Sequence, residues 1–329
     1  MAFAWNKTRE PLGDAVRATR AQVADAVRGL RVAARAGDPS ALARAVHEAR
    51  KSLRRARALV DLLRPLLGAE AASDLAAGLR DARRHLSDAR DATVVVAALR
   101  AAWKERAAGA PAPAGRRTRP PGVAALRARL VGDRDAELAG VDAAAAITAV
   151  ALLHDVQARL RAVAVATADG GSTGTAPPDA VLRRGLSRQH RRALAATRAA
   201  LARPDDERLH DARKRWKELG YVMRWWAPAW PRVIEPWLVE VDALGDLIGE
   251  HHDQAVLRAR LGEPAVAAVA ADAAGGDALV AEVRARSERR GARLRARALP
   301  VLARLAAEPT DAFVARHLAY LAAAAAGPC

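Results

Sequence analysis

Apolar and polar positions repeat with the period of an α-helix along nearly the whole chain. Alanine, leucine, arginine and valine dominate, and most of these residues favour helices. The strict alternation that marks a half-buried strand is nearly absent. We therefore predict an all-α protein. The predicted helices cover approximately residues 11–36, 38–63, 70–106 with room for one break, 122–168 as one or two helices, 179–202, 205–226, 231–261, 277–305 and 310–325.

Two stretches rich in proline, glycine and small polar residues interrupt this pattern. They read AGAPAPAGRRTRPPG (108–122) and DGGSTGTAPP (169–178), and such composition is typical of linkers. The second stretch falls close to the middle of the chain. We predict two helical halves, residues 1–170 and 177–329.

The two halves share three blocks of sequence in the same order. VHEARKSLRRARALVDLLRP (46–65) aligns with LHDARKRWKELGYVMRWWAP (209–228) at an offset of 163 residues. HLSDARDATVVVAAL (85–99) then aligns with LIGEHHDQAVLRARL (247–261), and VAALRAR (123–129) aligns with VAEVRAR (280–286). Ordered matches at nearly constant offset predict a duplicated unit.

The predicted helix 38–63 concentrates positive charge on one face. A turn of about 100° per residue places an apolar stripe opposite a basic stripe made of His47, Arg50, Lys51, Arg54, Arg55 and Arg57. Glu48 is the only acid within this run. Like charges four residues apart repel by a few tenths of a kcal/mol per pair, so an anion that offsets the repulsion would explain the pattern. An ordinary solvated helix face is the alternative.

The second half repeats this pattern with His210, Arg213, Lys214, Arg215 and Lys217. Both histidines lie among cations, which disfavour a protonated imidazole. A bound anion reverses that penalty. Phosphate binding should therefore take up protons and tighten as the pH falls through the histidine range.

The overall charge agrees with an anionic partner. The chain has 54 Lys and Arg residues against 37 Asp and Glu, a formal net charge of +17, which favours a polyanion or an acidic surface as partner. Only five of these cations are lysines, and the arginine fork suits phosphate oxygens. A GC-rich genome would produce the same bias toward arginine, so the bias alone decides little.

Other features bear on the compartment. The single cysteine, Cys329, excludes a disulfide framework or a cysteine zinc site within one chain and fits a reducing compartment. The N-terminus has no apolar signal region, and no stretch of about 18 uncharged apolar residues occurs. We expect a cytoplasmic protein without a membrane partner.

The first half resembles the CHAD (conserved histidine α-helical domain) family. The family's pattern of a histidine followed by basic residues is complete in His47, Arg50, Arg54, Arg55 and Arg57. The next family motif resembles LGxxRDxxV. This chain reads LSDARDATV (86–94), with Ser87 in place of glycine and with Arg90 and Asp91 intact.

The second half resembles the same family, with one departure. His210, Arg213, Lys217 and Tyr221 match the family's positions, but Gly220 replaces an arginine, which puts one cationic contact in doubt. The following motif, LIGEHHDQAV (247–256), looks like the family's LGxxxDxAV. The resemblance covers nearly the whole chain through four motifs in order.

The resemblance implies two helical bundles related by pseudo-two-fold symmetry, which together form one CHAD domain with a basic central groove or pore. It implies a non-enzymatic protein that binds inorganic polyphosphate, without cofactor or metal, and that can associate with polyphosphate granules. Asp91 and Asp253 are interpreted as structural. The predicted polyphosphate contacts are His47, Arg50, Lys51, Arg54, Arg55, Arg57, Arg90, Arg127, Arg184, Arg188, His210, Arg213, Lys214, Lys217, His252, Arg284 and Arg293.

The residues alone are also compatible with two other functions. A metal-dependent HD-type phosphohydrolase would use His-Asp pairs, which occur at 154–155, 210–211 and 252–253, but the neighbouring arginines would repel a metal ion. A nucleic-acid binder would suit the charge, yet no helix-turn-helix or RNA-binding signature appears. The clustered Trp225, Trp226, Trp230 and Trp237 are predicted to pack between helices rather than to stack on bases.

Overall fold

The described part of the chain is mostly helical, which confirms the predicted all-α class. The computed structural model describes residues 3–86, 90–105, 121–139, 143–168, 177–264, 266 and 276–326. Within these ranges there is no strand. The helices are α1 (Pro11–Ala36), α2 (Pro39–Leu62), α3 (Arg64–Leu67), α4 (Ala69–His85), α5 (Arg90–Lys104), α6 (Pro121–Ala139), α7 (Ala143–Ala168), α8 (Pro178–Ala202), α9 (Asp206–Trp226), α10 (Pro231–Arg260), α11 (Gly276–Leu305) and α12 (Thr310–Ala325), with a 3₁₀ turn at Ala227–Ala229.

Local sequence explains where the two basic helices begin. The carboxylate of Asp38 accepts a hydrogen bond of 2.9 Å from the Ser40 amide, and Pro39 is the first residue of α2. The carboxylate of Asp205 likewise accepts a hydrogen bond of 2.9 Å from the Arg208 amide at the start of α9. Both carboxylates satisfy amides that a helix N-terminus leaves without a partner. These caps set the register of the basic stripes.

The predicted interruptions fall close to their expected places. Residues 70–106 form two helices, α4 and α5, whereas the corresponding stretch of the second half is the single long helix α10. Residues 122–168 form α6 and α7. The linkers predicted at 108–122 and 169–178 lie mostly outside the described residues, so the predicted boundary between the halves stays a prediction.

The first core belongs to a bundle of α1, α2, α4 and α7. Leu30, Leu53, Leu75 and Leu153 are buried there, one from each helix. Leu53 lies on the apolar stripe of α2, so that stripe faces this core and the basic stripe points away from it, as the periodicity predicts.

The second core is formed by α8, α9, α12 and parts of α1, α2, α10 and α11. Trp225 and Trp226 are completely buried in it, and the ring of Trp237 packs 6.2 Å from that of Trp216. These tryptophans therefore pack between helices as predicted. Trp230 differs, because it is 46% exposed although its ring contacts Tyr320.

A third core joins segments that are distant in the sequence. Val95 and Leu126 of α5 and α6 pack against Leu257 of α10 and Val283 of α11. Helices α5 and α6 therefore share their hydrophobic core with helices of the predicted second half. The two halves are interlocked by this arrangement.

The two basic helices, α2 and α9, contact each other directly, and α8 packs against both of them. A Cβ atom at Gly185 of α8 would overlap the carbonyl oxygen of Leu62 at the end of α2. Only glycine permits this approach. The approach places the arginines of α8 beside the basic stripe of α2.

Candidate anion-binding site

A cavity of about 360 Å³ lies among α2, α3, α4, α8 and α9, and we call it the basic cavity. Seven cationic side chains and two carboxylates line it, together with small residues. The charged residues are Arg57, Arg64, Arg80, Arg188, Arg192, Lys214 and Arg215, with Asp61 and Glu218. The excess of cations makes this cavity a candidate anion-binding site, and arginine supplies the planar donor fork that fits phosphate oxygens.

The two carboxylates of the basic cavity are both held by arginines. Asp61 accepts hydrogen bonds from Arg188 and, at 2.8 Å, from Arg192. Glu218 accepts hydrogen bonds from Arg57 and, at 3.2 Å, from Arg215. The side chains of Asp61 and Glu218 are 21% and 16% exposed, so these pairs are partly shielded from water.

A wider groove of about 700 Å³ borders the basic cavity along α8, and we call it the outer groove. It shares Arg188 and Arg192 with the basic cavity. The charged residues that line it are Arg183, Arg184, Arg188, Arg191, Arg192 and Asp311. Positive charge therefore continues from the cavity onto the surface of α8.

A second group of cations lies where α9 packs against α10. The Arg213 guanidinium donates a hydrogen bond of 2.7 Å to the Gly245 carbonyl. A Cβ atom at Gly249 would lie 3.0 Å from the Arg213 guanidinium, and one at Gly245 would lie 3.2 Å from the Lys217 side chain. The glycine of the LIGEHHDQAV motif thus leaves room for Arg213. In the first half, the corresponding Arg50 donates a hydrogen bond of 2.6 Å to the Leu86 carbonyl.

Cations of the two basic helices are crowded, and some of them are partly buried. Burial, followed by the charges of Arg213 and Arg54, lowers the pKa of Lys217. Arg54 belongs to α2, which contacts α9 directly, so cations of the two basic helices lie near each other. Burial and the charge of Arg215 lower the pKa of Lys214 as well. Such crowding favours any ligand that supplies negative charge.

His210 forms part of the same crowded surface. Its ring lies 4.9 Å from the ring of His252 on α10, and both histidines are exposed. Burial, then the charges of His252 and Arg213, lowers the pKa of His210. An anion that bound beside these rings would raise this pKa and draw a proton to the site.

Arg55 occupies a different environment from the rest of its stripe. Its guanidinium lies 5.1 Å from the centre of the Phe3 ring, and its Nε atom is buried without a hydrogen-bond partner among the described residues. Burial lowers the pKa of Arg55, and the charge of Arg224 on α9 adds to this shift. Arg55 therefore faces the N-terminal segment and α9 rather than the basic cavity.

Gly220, which replaces the family's arginine, is buried between α9 and α10. A Cβ atom there would lie 3.1 Å from Val241 of α10. A large side chain at this position would have to push the two helices apart. The effect of Gly220 on ligand binding stays a prediction.

The remaining predicted contacts are spread over several surfaces. His47 is exposed on α2, and Lys51 pairs with Glu48 at 3.0 Å. Arg127, Arg284 and Arg293 line neither the basic cavity nor the outer groove, and Arg293 donates a hydrogen bond of 2.6 Å to Glu105. The Arg90 side chain lies outside the described residues.

Four cations that line the basic cavity were not among the predicted ligand contacts. Arg192 lies four residues after Arg188 on the same face of α8, and this spacing could have identified it. Arg215 belongs to the basic run of α9. Arg64 and Arg80 lie on α3 and α4, outside the basic runs, and nothing in their local sequence points to the cavity.

Two further observations concern the other function classes. In the described residues, no group of three or more His, Cys, Asp or Glu side chains is placed to hold a metal ion. In the first His-Asp pair, the Nε2 atom of His154 lies 2.8 Å from a guanidinium nitrogen of Arg31. None of the described helices has the length and the apolar character needed to span a bilayer.

Comparisons with known proteins identify the fold and the family pattern. The family model of the CHAD domain matches residues 12–262, which is more than half of the chain. The crystal structure of the CHAD domain from the plant Ricinus communis superimposes with a TM-score of 0.58 at 20% sequence identity. That match covers 98% of this chain and 95% of the plant chain. No curated protein sequence matches the chain.

Proposed function

The chain belongs to the CHAD domain family, and on this premise we propose that it binds inorganic polyphosphate without catalysing a reaction. The observation that carries the proposal is the direct contact of α2 and α9, two helices with basic stripes. Their cations lie close enough for Arg54 to lower the pKa of Lys217. Gathering like charges in a poorly solvated place costs free energy, and a bound polyanion offsets that cost.

The shape of the site suits a flexible phosphate chain better than a nucleic acid. Within the described part of the chain, no aromatic side chain lines the basic cavity or the outer groove. Trp216, Trp225 and Trp226 are completely buried. Single-stranded nucleic acids gain affinity by stacking bases on aromatic rings, and these surfaces offer none. A linear polyphosphate needs only closely spaced cations.

The chemistry of the basic cavity supports a binding role rather than catalysis. Asp61 and Glu218 are the carboxylates that line it among the described residues, and both accept hydrogen bonds from arginines. Both carboxylates are thus engaged in ion pairs with cationic neighbours, which disfavours a role as general base. We extend the proposal to polyphosphate granules as a partner, since a granule presents the same anion at high density.

The proposal is tested by replacing one cation on each basic helix, Arg54→Ala together with Lys217→Ala. The variant should bind long-chain polyphosphate more weakly, and log K should fall less steeply with log salt, because fewer counterions are released on binding. The matched control is Arg28→Ala with Arg84→Ala, which removes the same total charge from two exposed arginines on α1 and α4, outside the two basic helices.

The measurement is a titration with polyphosphates of graded length at two salt concentrations, with circular dichroism to verify folding. Equal affinities of the Arg54/Lys217 variant and of the control would refute the α2–α9 contact as the place where polyphosphate binds. A second titration adds duplex DNA or RNA at equal phosphate concentration. If either displaces long-chain polyphosphate, the protein is a nucleic-acid binder instead.

A further inference from the structure

We infer that Asp61 and Glu218 act as internal counter-ions, which compete with the phosphate ligand for the arginines of the basic cavity. This inference rests on the proposed function, since it concerns how the same anion gains access to that cavity. It predicts that polyphosphate binds by exchanging carboxylate–arginine pairs for phosphate–arginine pairs.

The positions of the two carboxylates support this inference. Asp61, at the end of α2, reaches Arg188 and Arg192 of α8. Glu218 of α9 reaches Arg57 of α2 and lies 3.9 Å from Arg192. Asp61 therefore joins α2 to α8, and Glu218 joins α9 to both α2 and α8.

The same guanidinium groups would bind a phosphate. Carboxylate and phosphate oxygens both accept paired hydrogen bonds from an arginine fork. All of the arginines held by Asp61 and Glu218 line the basic cavity. An entering phosphate must share or replace these bonds and must also approach two like charges.

This competition discriminates among ligands by length. In the free protein, the carboxylates relieve the repulsion among seven crowded cations. A short phosphate gains few new contacts when it meets them. A long chain can also engage Arg183, Arg184 and Arg191 in the outer groove, which continues from the cavity. Asp61 and Glu218 thereby lower affinity for short phosphates more than for long ones.

The test uses the full chain with Asp61→Asn, Glu218→Gln and both changes combined. Each replacement keeps the shape and a carbonyl acceptor but removes one negative charge. We expect each single variant to bind tripolyphosphate roughly threefold to tenfold more tightly than the wild type at low salt, as expected from removing a nearby like charge. Long-chain polyphosphate should gain less.

Asp133→Asn is the matched control. Asp133 is 18% exposed, similar to the two cavity carboxylates, and it also pairs with arginines of two helices, Arg129 and Arg260. It lines neither the basic cavity nor the outer groove. Its replacement changes the net charge by the same amount, so any effect of total charge appears in it equally.

The outcomes separate the inference from the proposed function. If Asp61→Asn and Glu218→Gln bind tripolyphosphate no more tightly than Asp133→Asn does, the inference is wrong, whereas wild-type binding of long chains leaves the proposed function standing. If neither the wild type nor any variant binds either phosphate, both are wrong. The single variants keep the test decisive should the double variant not fold, because each leaves one carboxylate in the cavity.

Discussion

Two buried histidines should make the stability of the protein fall in weak acid. The rings of His190 on α8 and His317 on α12 each lie 4.2 Å from the Phe313 ring. The His190 Nδ1 atom lies 3.0 Å from the Thr310 hydroxyl, and its Nε2 atom is buried without a partner among the described residues. Burial lowers the pKa of both histidines to about 4.

The sign and the size of the effect follow from these values. The folded state prefers neutral imidazoles, whereas the unfolded chain protonates them near its ordinary pKa of about 6.5. Their contribution to stability is therefore complete above about pH 6.5 and is lost as the pH falls toward 4. Between pH 7.5 and pH 5.0, each histidine should lower the free energy of unfolding by about 2 kcal/mol.

Urea unfolding followed by tryptophan fluorescence measures this loss, because Trp216 and Trp226 lie in the same core. The His190→Asn variant keeps a polar group near Thr310 but cannot titrate. It will be less stable at pH 7.5, and it should lose about 2 kcal/mol less than the wild type between pH 7.5 and pH 5.0. Equal losses in both proteins would refute the reasoning, since contributions from all other groups cancel in this comparison.

Two further predictions concern packing and the pH dependence of binding. Gly185→Ala should lower the free energy of unfolding by about 1–3 kcal/mol through overpacking against the Leu62 carbonyl. The control Gly29→Ala, with open space around its Cβ position, should raise the free energy of unfolding by up to about 1 kcal/mol in urea titrations. A Gly185→Ala protein as stable as the wild type would contradict the close approach of α8 to α2. Polyphosphate affinity should rise as the pH falls below about 6.5, because a bound anion raises the lowered pKa of His210 toward its ordinary value. Calorimetry in two buffers should detect less proton uptake on binding for His210→Asn than for the wild type.

Much of the fold could be predicted from the sequence because helices are specified locally. The cap at Asp38 and the apolar stripe that includes Leu53 follow from residues a few positions apart. The end of α2 at Leu62 lies within one residue of the predicted end at 63, whereas the close approach of α8 to this end depends on tertiary packing. No local signal in the sequence predicted the core shared by α5, α6, α10 and α11, because that core joins residues more than 100 positions apart.

The candidate site divides in the same way. The basic stripe of α2 and its counterpart on α9 could be read from spacing alone, as could the histidine at the head of each. Which cations meet could not, because the Arg57–Glu218 pair spans 161 positions and Arg80 joins the cavity from α4. Ionic neighbours depend on how helices cross, and helix crossing depends on contacts such as that of Gly185 with Leu62.

The sequence by itself therefore determined the helices, the basic stripes and the family resemblance, since each depends on residues close together in the chain. Only the tertiary structure decided that Asp61 and Glu218 stand among the cavity arginines and that His190 lies buried against Phe313. Charge and burial are properties of a side chain's surroundings. Those surroundings are assembled from helices far apart in the sequence, and they exist only once the chain has folded.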